Sequence, residues 1–136
     1  MEEEQATRVF LLKIVPKEIL EVNGNLLDRV DLTLSLTNKS DTALSYKVKC
    51  TSNEMFSIKP SVGCIDVEKT AYVKIRYRCH QDRIPLSKDG HHFSIYHIPV
   101  PVGSYAEGAW KEHYGPAQGE KRLKVSLCIT RSEKSL

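Results

Sequence analysis

Five histidines and four cysteines are the first residues to weigh, because imidazoles and thiolates hold metals and carry protons. Cys79-His80, His91-His92 and His97 stand near enough in sequence to suggest zinc. Zinc sites, however, draw on spaced ligand doublets. None of Cys50, Cys64, Cys79 and Cys128 forms a C-x-x-C pair, so no metal is expected. In a reducing compartment the four cysteines read as free thiols packed like small apolar side chains. Asp66 and Glu68 fall in a turn, where a carboxylate pair is solvated rather than catalytic. Trp110, the single tryptophan, is expected to plug one end of the fold, since large aromatics dominate core burial. The chain has no G-x-S-x-G elbow, P-loop or G-x-G-x-x-G fingerprint. It is therefore not expected to be an enzyme, and no catalytic residue or cofactor is assigned.

The chemistry these residues do support is ionic recognition. Lys47 and Lys49 alternate along one segment. Lys74, Arg76 and Arg78 do so along a second, and Arg122 and Lys124 along a third. Lys plus Arg total 20 against 17 Asp plus Glu, a formal charge of +3, which is too small an excess to predict nucleic-acid binding. Most such charges only solvate a sheet face. Three segments with the same habit instead suggest a basic binding face. Its partner would be an acidic protein segment or, more weakly, an anionic membrane surface.

The elements that must position these charges are strands. Leu32, Leu34 and Leu36 alternate with polar residues, the period-two pattern of a half-buried strand. Tyr46, Val48 and Cys50 repeat the pattern. So do Val73 to Cys79, Phe93 with Ile95, and Leu123 to Ile129. Weaker strands are expected over Val9 to Val15, Ile19 to Val22 and Phe56 to Lys59. Turn chemistry separates the runs at Asn23-Gly24-Asn25, Asn38 to Asp41, Pro60 to Gly63, Asp66 to Lys69, Lys88 to Gly90 and Gly115 to Gly119. Tyr105 to His113 is the one helical candidate, a decoration of two turns. Seven or eight short strands in one domain predict an all-β antiparallel sandwich. Pro16 and Pro60 follow strand residues and cannot donate to a ladder, so each marks an edge, bulge or strand switch.

At 136 residues the chain has room for one domain. The expected division is an acidic N-terminal tail over 1–6, one sandwich over 7–130 and a polar C-terminal tail over 131–136. The start, Met1-Glu2-Glu3-Glu4, lacks the basic and apolar regions of a secretory signal. The apolar runs are far shorter than the roughly 20 residues that span a bilayer. A cytoplasmic location is expected.

In its order of segments the sequence resembles the major sperm protein domain, a family that includes the domain of the VAMP-associated proteins. The matching segments are Tyr46-Lys47-Val48-Lys49-Cys50-Thr51 and Phe56-Ser57-Ile58-Lys59-Pro60-Ser61-Val62-Gly63. His92-Phe93-Ser94-Ile95 and Ala109-Trp110-Lys111-Glu112 follow in the family's order. The resemblance runs from about Val9 to Ile129. It implies an immunoglobulin-like, seven-stranded sandwich and a non-enzymatic role in protein recognition. One branch of the family polymerises into nematode sperm filaments; another captures acidic diphenylalanine peptides, the FFAT motif.

Carried over position by position, the resemblance implies a peptide-binding set of Lys47, Lys49, Cys50, Thr51, His92, Ser94 and Arg122. Cys50 stands where the peptide-binding branch has threonine, and Ser94 where it has a methionine that packs on the ligand's aromatic ring. The basic frame is thus partly kept and the apolar pocket altered. Exposed ion pairs contribute only about 0 to 1 kcal/mol each, so an acidic or phosphorylated segment should bind weakly. The alternative implied function is self-association into dimers or filaments, as in the small nematode relatives. The resemblance also implies cis peptide bonds before Pro16 and Pro60.

Overall fold

The computed structural model describes residues 9–25, 29–78, 91–101 and 104–130, and in these the chain forms nine strands and one short helix. The strands are β1 (Leu12–Val15), β2 (Ile19–Asn25), β3 (Val30–Asn38), β4 (Leu44–Cys50), β5 (Phe56–Lys59), β6 (Val62–Ile65), β7 (Thr70–Tyr77), β8 (His92–Pro99) and β9 (Gly119–Thr130). The helix, α1, spans Ala106–Glu112. The strands make two sheets: sheet A in the order β1-β3-β7-β5, and sheet B in the order β2-β9-β8-β4-β6. The architecture is the expected all-β sandwich.

Period two accounts for the core. On β3, Leu34 and Leu36 are fully buried; on β7, so are Val73 and Tyr77. Phe93 and Ile95 of β8 and Leu123 of β9 meet them from the other layer. Phe56 lies against Tyr77 at 5.4 Å and edge-on to Phe93 at 5.2 Å between ring centroids. Each large apolar side chain buried in this way contributes about 1.5–3 kcal/mol.

The two prolines divide strands between sheets. Val15-Pro16 and Lys59-Pro60 are both cis. β1 pairs in sheet A and β2, after Pro16, in sheet B; β5 pairs in sheet A and β6, after Pro60, in sheet B. Nine strands thus arise where seven or eight were expected, and the one that no expected run covers is β6, after Pro60. The Pro60 to Gly63 segment, read as a turn, becomes the start of β6 once Val62 pairs with Lys47. Asn23-Gly24-Asn25, also read as a turn, continues β2 opposite Cys128 to Thr130. That pairing of β2 with β9 is parallel, whereas every other pair is antiparallel. The seven-residue register supplies the backbone partners that overrode local turn propensity.

Of the thiols, Cys50 is partly buried against the core but Cys64 is exposed on β6. The latter departs from the expectation of four packed thiols. Burial, then the nearby Asp66 and Glu107, push the Cys64 thiol up, so its reactive thiolate is disfavoured at neutral pH. Cys79, His80, Lys88-Asp89-Gly90, both expected tails and the Cys128 side chain lie outside the described residues.

Two buried polar side chains tie the layers together. Asn38 is fully buried. Its amide nitrogen donates to the Thr42 and Ile65 carbonyls, both at 2.8 Å. Its side-chain oxygen accepts from the Ser40 backbone N–H at 2.8 Å and from the Ser40 hydroxyl at 2.7 Å. One asparagine thus stitches the end of β3 to β6 with every polar site used. Asn38→Ala should cost about 2–4 kcal/mol, because carbonyls that it serves lose their donor. Urea denaturation checks this; a loss below about 1 kcal/mol would contradict it.

His97 is the second tie. It is fully buried on β8, with its ring 4.9 Å from that of Phe10. The Leu11 backbone N–H donates to His97 Nε2 at 3.0 Å. Nε2 is therefore the bare nitrogen, and Nδ1 carries the proton that goes to Gln118 Oε1 at 3.0 Å. Burial lowers the His97 pKa below 6.5, while the Gln118 bond opposes the shift. As pH falls below about 6.5, the unfolded chain takes up a proton that the folded chain refuses, so stability falls with it. The loss levels off once the folded-state pKa is passed. Thermal melts from pH 7.5 to pH 5 should therefore decline more steeply for the natural chain than for His97→Gln. Equal slopes would contradict the assignment.

Candidate functional site

The registers of sheet B place the basic side chains. Lys49 of β4 lies opposite Ser94 of β8, and Ser94 lies opposite Arg122 of β9. These three form one row across three adjacent strands, all on the side away from Phe93. The next row holds Lys47, Tyr96 and Glu120. On the other side His92 faces Lys124. Thr51, just past β4, joins this end: its backbone N–H donates to the His92 carbonyl at 3.2 Å, and its hydroxyl accepts from the His92 N–H at 3.2 Å. Six of the seven residues expected at a peptide site thus share one outer face.

Cys50 is the exception. It lies opposite Phe93, against the core, and burial raises its thiol pKa. Period two turns consecutive residues to opposite faces, so Cys50 cannot share the side of Lys49. The expected third basic strand also goes elsewhere. β7, with Lys74 and Arg76, belongs to sheet A on the opposite layer. There Arg76 Nε binds Asp31 Oδ1 at 2.8 Å and holds that carboxyl below its usual range. The alternation of charge was legible in sequence; the layer assignment was not, because it depends on which strands pair.

α1 builds a wall beside the face. It packs against β4, β6 and β8. Ser45 of β4 is fully buried beneath it and donates to the Ala106 carbonyl at 3.2 Å. Ile98 and Ala109 are buried yet separate from the inter-sheet core. Trp110 therefore does not plug an end of the sandwich. It sits at the margin of the face, with Lys47 Nζ 4.4 Å from its ring centroid. Lys49 Nζ stands 5.9 Å from the Tyr96 ring. Such contacts contribute about 0.5–1 kcal/mol when exposed and leave both ammonium groups facing outward. The aromatic pair was missed in sequence, although Tyr96, two residues past Ser94, had to share its face.

The electrostatics of the face are one-sided. The ion pairs among described residues, Arg29 and Arg76 with Asp31, belong to sheet A. Lys47, Lys49, Arg122 and Lys124 pair with no described carboxylate. With Glu120 as the one acidic residue in the rows described, four cations remain for an anionic partner.

Comparison with known proteins gives the family and the fold. Residues 11–113 match the model of the MSP (Major sperm protein) domain, and the chain belongs to that family. Human vesicle-associated membrane protein-associated protein A is 32% identical over 103 residues, 75% of this chain but 41% of its own length. A Caenorhabditis elegans protein is 29% identical over 102 residues, 75% of each chain. Among solved structures, WR4, a C. elegans MSP family member, superposes with a TM-score of 0.69 at 22% identity, covering 88% of this chain and 99% of its own. SSP-19, an MSP-domain protein like family member from the same organism, gives 0.63 at 17%, covering 81% and 94%. Membership gives the chain a protein-interaction or structural role of the MSP type. No helix among the described residues is long and apolar enough to cross a membrane.

Proposed function

We propose that this chain is a non-enzymatic interaction module that captures an acidic segment of a partner protein on the outer face of sheet B. The observation that carries the reading is the row Lys49, Ser94, Arg122, flanked by Lys47 and Lys124. An extended acidic segment laid across β4, β8 and β9 meets charge-assisted donors on each strand. Tyr96 and Trp110 supply apolar surface beside them, in place of the methionine that the sequence lacks at position 94. Because exposed pairs are individually weak, affinity depends on that aromatic contact as well.

Titration of an acidic diphenylalanine peptide at 50 mM and 300 mM salt tests the reading. Binding is expected at low salt and should weaken severalfold as screening shortens the reach of the charges. Salt-independent binding, or none, would oppose it.

Self-association is the second reading, and it rests on the other layer. Val15 and Tyr72, 53% and 62% exposed, flank Ser35 in one row of sheet A. This gives an apolar strip that a second copy could cover. Sedimentation across a concentration series decides: a monomer at millimolar concentration removes this reading and leaves the first intact.

A further inference from the structure

The first part of β9 has a neighbouring strand on one side only. β2 pairs with β9 from Lys124 onward, starting at Ile19, whereas the chain before Pro16 runs as β1 in sheet A. Among the described residues, Gly119 to Leu123 therefore pair with β8 alone. Hydrogen-bonded pairs alternate along an antiparallel ladder. The Val125 N–H donates to the His91 carbonyl at 3.1 Å, so Leu123 and Lys121 turn their backbone groups to β8, while Arg122 and Glu120 turn theirs outward. Lys124, next in that outward series, donates to the Glu18 carbonyl at 3.0 Å. β1 is an edge as well. The Lys39 N–H donates to the Leu11 carbonyl at 2.9 Å, which leaves Leu12 and Ile14 with backbone groups facing away from β3.

In the corner between β1 and β9 lies a cavity of about 480 Å³, with Phe10, Leu12, Ile14, Lys17 and Lys121 in its lining. Leu12 and Ile14, both buried, give it an apolar floor. Lys121 is half-buried and shares the inward side of β9 with Leu123 by period two, a rare place for an ammonium. Lys13, Lys17 and Lys121, all at the cavity, pair with no described carboxylate. From this arrangement we infer that the corner takes an extended segment of a partner protein as an added strand. Its backbone pairs with Glu120 and Arg122, an apolar side chain rests on Leu12 and Ile14, and a carboxylate meets Lys121.

The chemistry of the corner selects that occupant. In strand addition, main-chain hydrogen bonds supply affinity and pockets for alternate side chains supply specificity. Inward side chains fall at every second position, so the segment carries an apolar and an acidic residue two apart. A fatty-acid chain matches the apolar floor and the lysines, but it covers the outward N–H and C=O groups of β9 without pairing them, which is costly. An inward lysine also keeps a sheet edge from pairing with every strand it meets. A carboxylate beside Lys121 lifts that bar, so the same residue makes the edge selective. The inference is independent of the outer face of sheet B, since Lys49, Ser94 and Arg122 project their side chains from the other side of the sheet.

The test uses eight-residue peptides with threonine at the outward positions, and with glutamate plus leucine, valine or phenylalanine at the inward ones. They are titrated onto the whole chain to millimolar concentration and followed by amide hydrogen exchange. At least one should bind and slow exchange at Glu120 and Arg122 by about tenfold or more. N-methylation of the peptide nitrogens that meet β9 should abolish binding, and N-methylation at the intervening positions should leave it within about twofold. Replacing the glutamate by glutamine should weaken binding about five- to tenfold. Lys121→Met should remove that difference and leave the glutamine peptide unchanged within about twofold, whereas Lys121→Arg should keep it. A flat N-methyl scan, no protection at Glu120 and Arg122 with any peptide, or a glutamate preference that survives Lys121→Met overturns the inference. Two further outcomes also overturn it. Laurate binding that Lys121→Met removes, with no peptide response, would assign the corner to lipids, and protection that grows with protein concentration alone would assign the edge to a second copy. The acidic diphenylalanine peptide should not compete, so the two sites succeed or fail separately.

Discussion

Lys49→Glu combined with Arg122→Glu is expected to weaken binding of an acidic diphenylalanine peptide by about a hundredfold. Each reversal removes an attraction of up to about 1 kcal/mol and installs a repulsion of similar size. Together these reach at most about 4 kcal/mol, and about 3 kcal/mol of it gives the hundredfold, since every 1.4 kcal/mol is tenfold in Kd. Both residues are exposed and unpaired with described carboxylates, so the melting temperature should hardly move. The control is Lys74→Glu with Arg78→Glu. It changes the net charge by the same amount, but Lys74 lies on the outside of sheet A and Arg78 just past β7. If binding depends on the face, the control should lose only a few-fold, through long-range attraction. Equal losses from the two pairs would mean that net charge, not the row across β4, β8 and β9, draws the peptide.

The second large effect is on folding. Gly119→Ala is expected to destabilise the protein by about 3 kcal/mol or more, lowering its melting temperature on the order of 10 °C. Gly119 opens β9 directly opposite His97. A Cβ there would overlap Nε2, Cε1 and Cδ2 of the imidazole. The ring has nowhere to go. It is fully buried, packed on Phe10, and held at both nitrogens by Leu11 and Gln118. Relief requires giving up the hydrogen bond that fastens Leu11, and with it the entry into β1. A double-mutant cycle provides the check. Gly119→Ala should cost markedly less in a His97→Ala background, since the clash is then gone. Strict additivity would contradict this account of the position.

The contrast between these residues explains what the sequence could disclose. Alternation made the strands of Leu34, Val48, Ile75, Ile95 and Val125 legible, because a half-buried strand writes its period directly into the order of side chains. The grouping of Lys49 with Ser94 and Arg122 came from family resemblance and period two on the premise that their strands are neighbours, and the registers supply that adjacency. The exclusion of Cys50 needed only period two, yet resemblance by position drew it into the site. Which layer holds Lys74 and Arg76 is a matter of strand order, set by contacts far apart in sequence. The sheet changes at Pro16 and Pro60 were signalled by proline's missing donor. The parallel pairing of β2 was not signalled, because parallel and antiparallel ladders ask for the same residue types. His97 and Asn38 were legible only as a histidine of uncertain use and a turn residue. Their roles come from partners 86 and 27 positions away.

The most direct test of the binding face is a backbone amide map by heteronuclear NMR during titration with the acidic diphenylalanine peptide. The largest shifts are expected at Lys47, Lys49, Ser94, Tyr96 and Arg122, with the Trp110 indole moving as Lys47 turns to the ligand. Shifts gathered instead on β3 and β7, around Thr33, Lys74 and Arg76, would place the partner on the opposite layer and contradict the account.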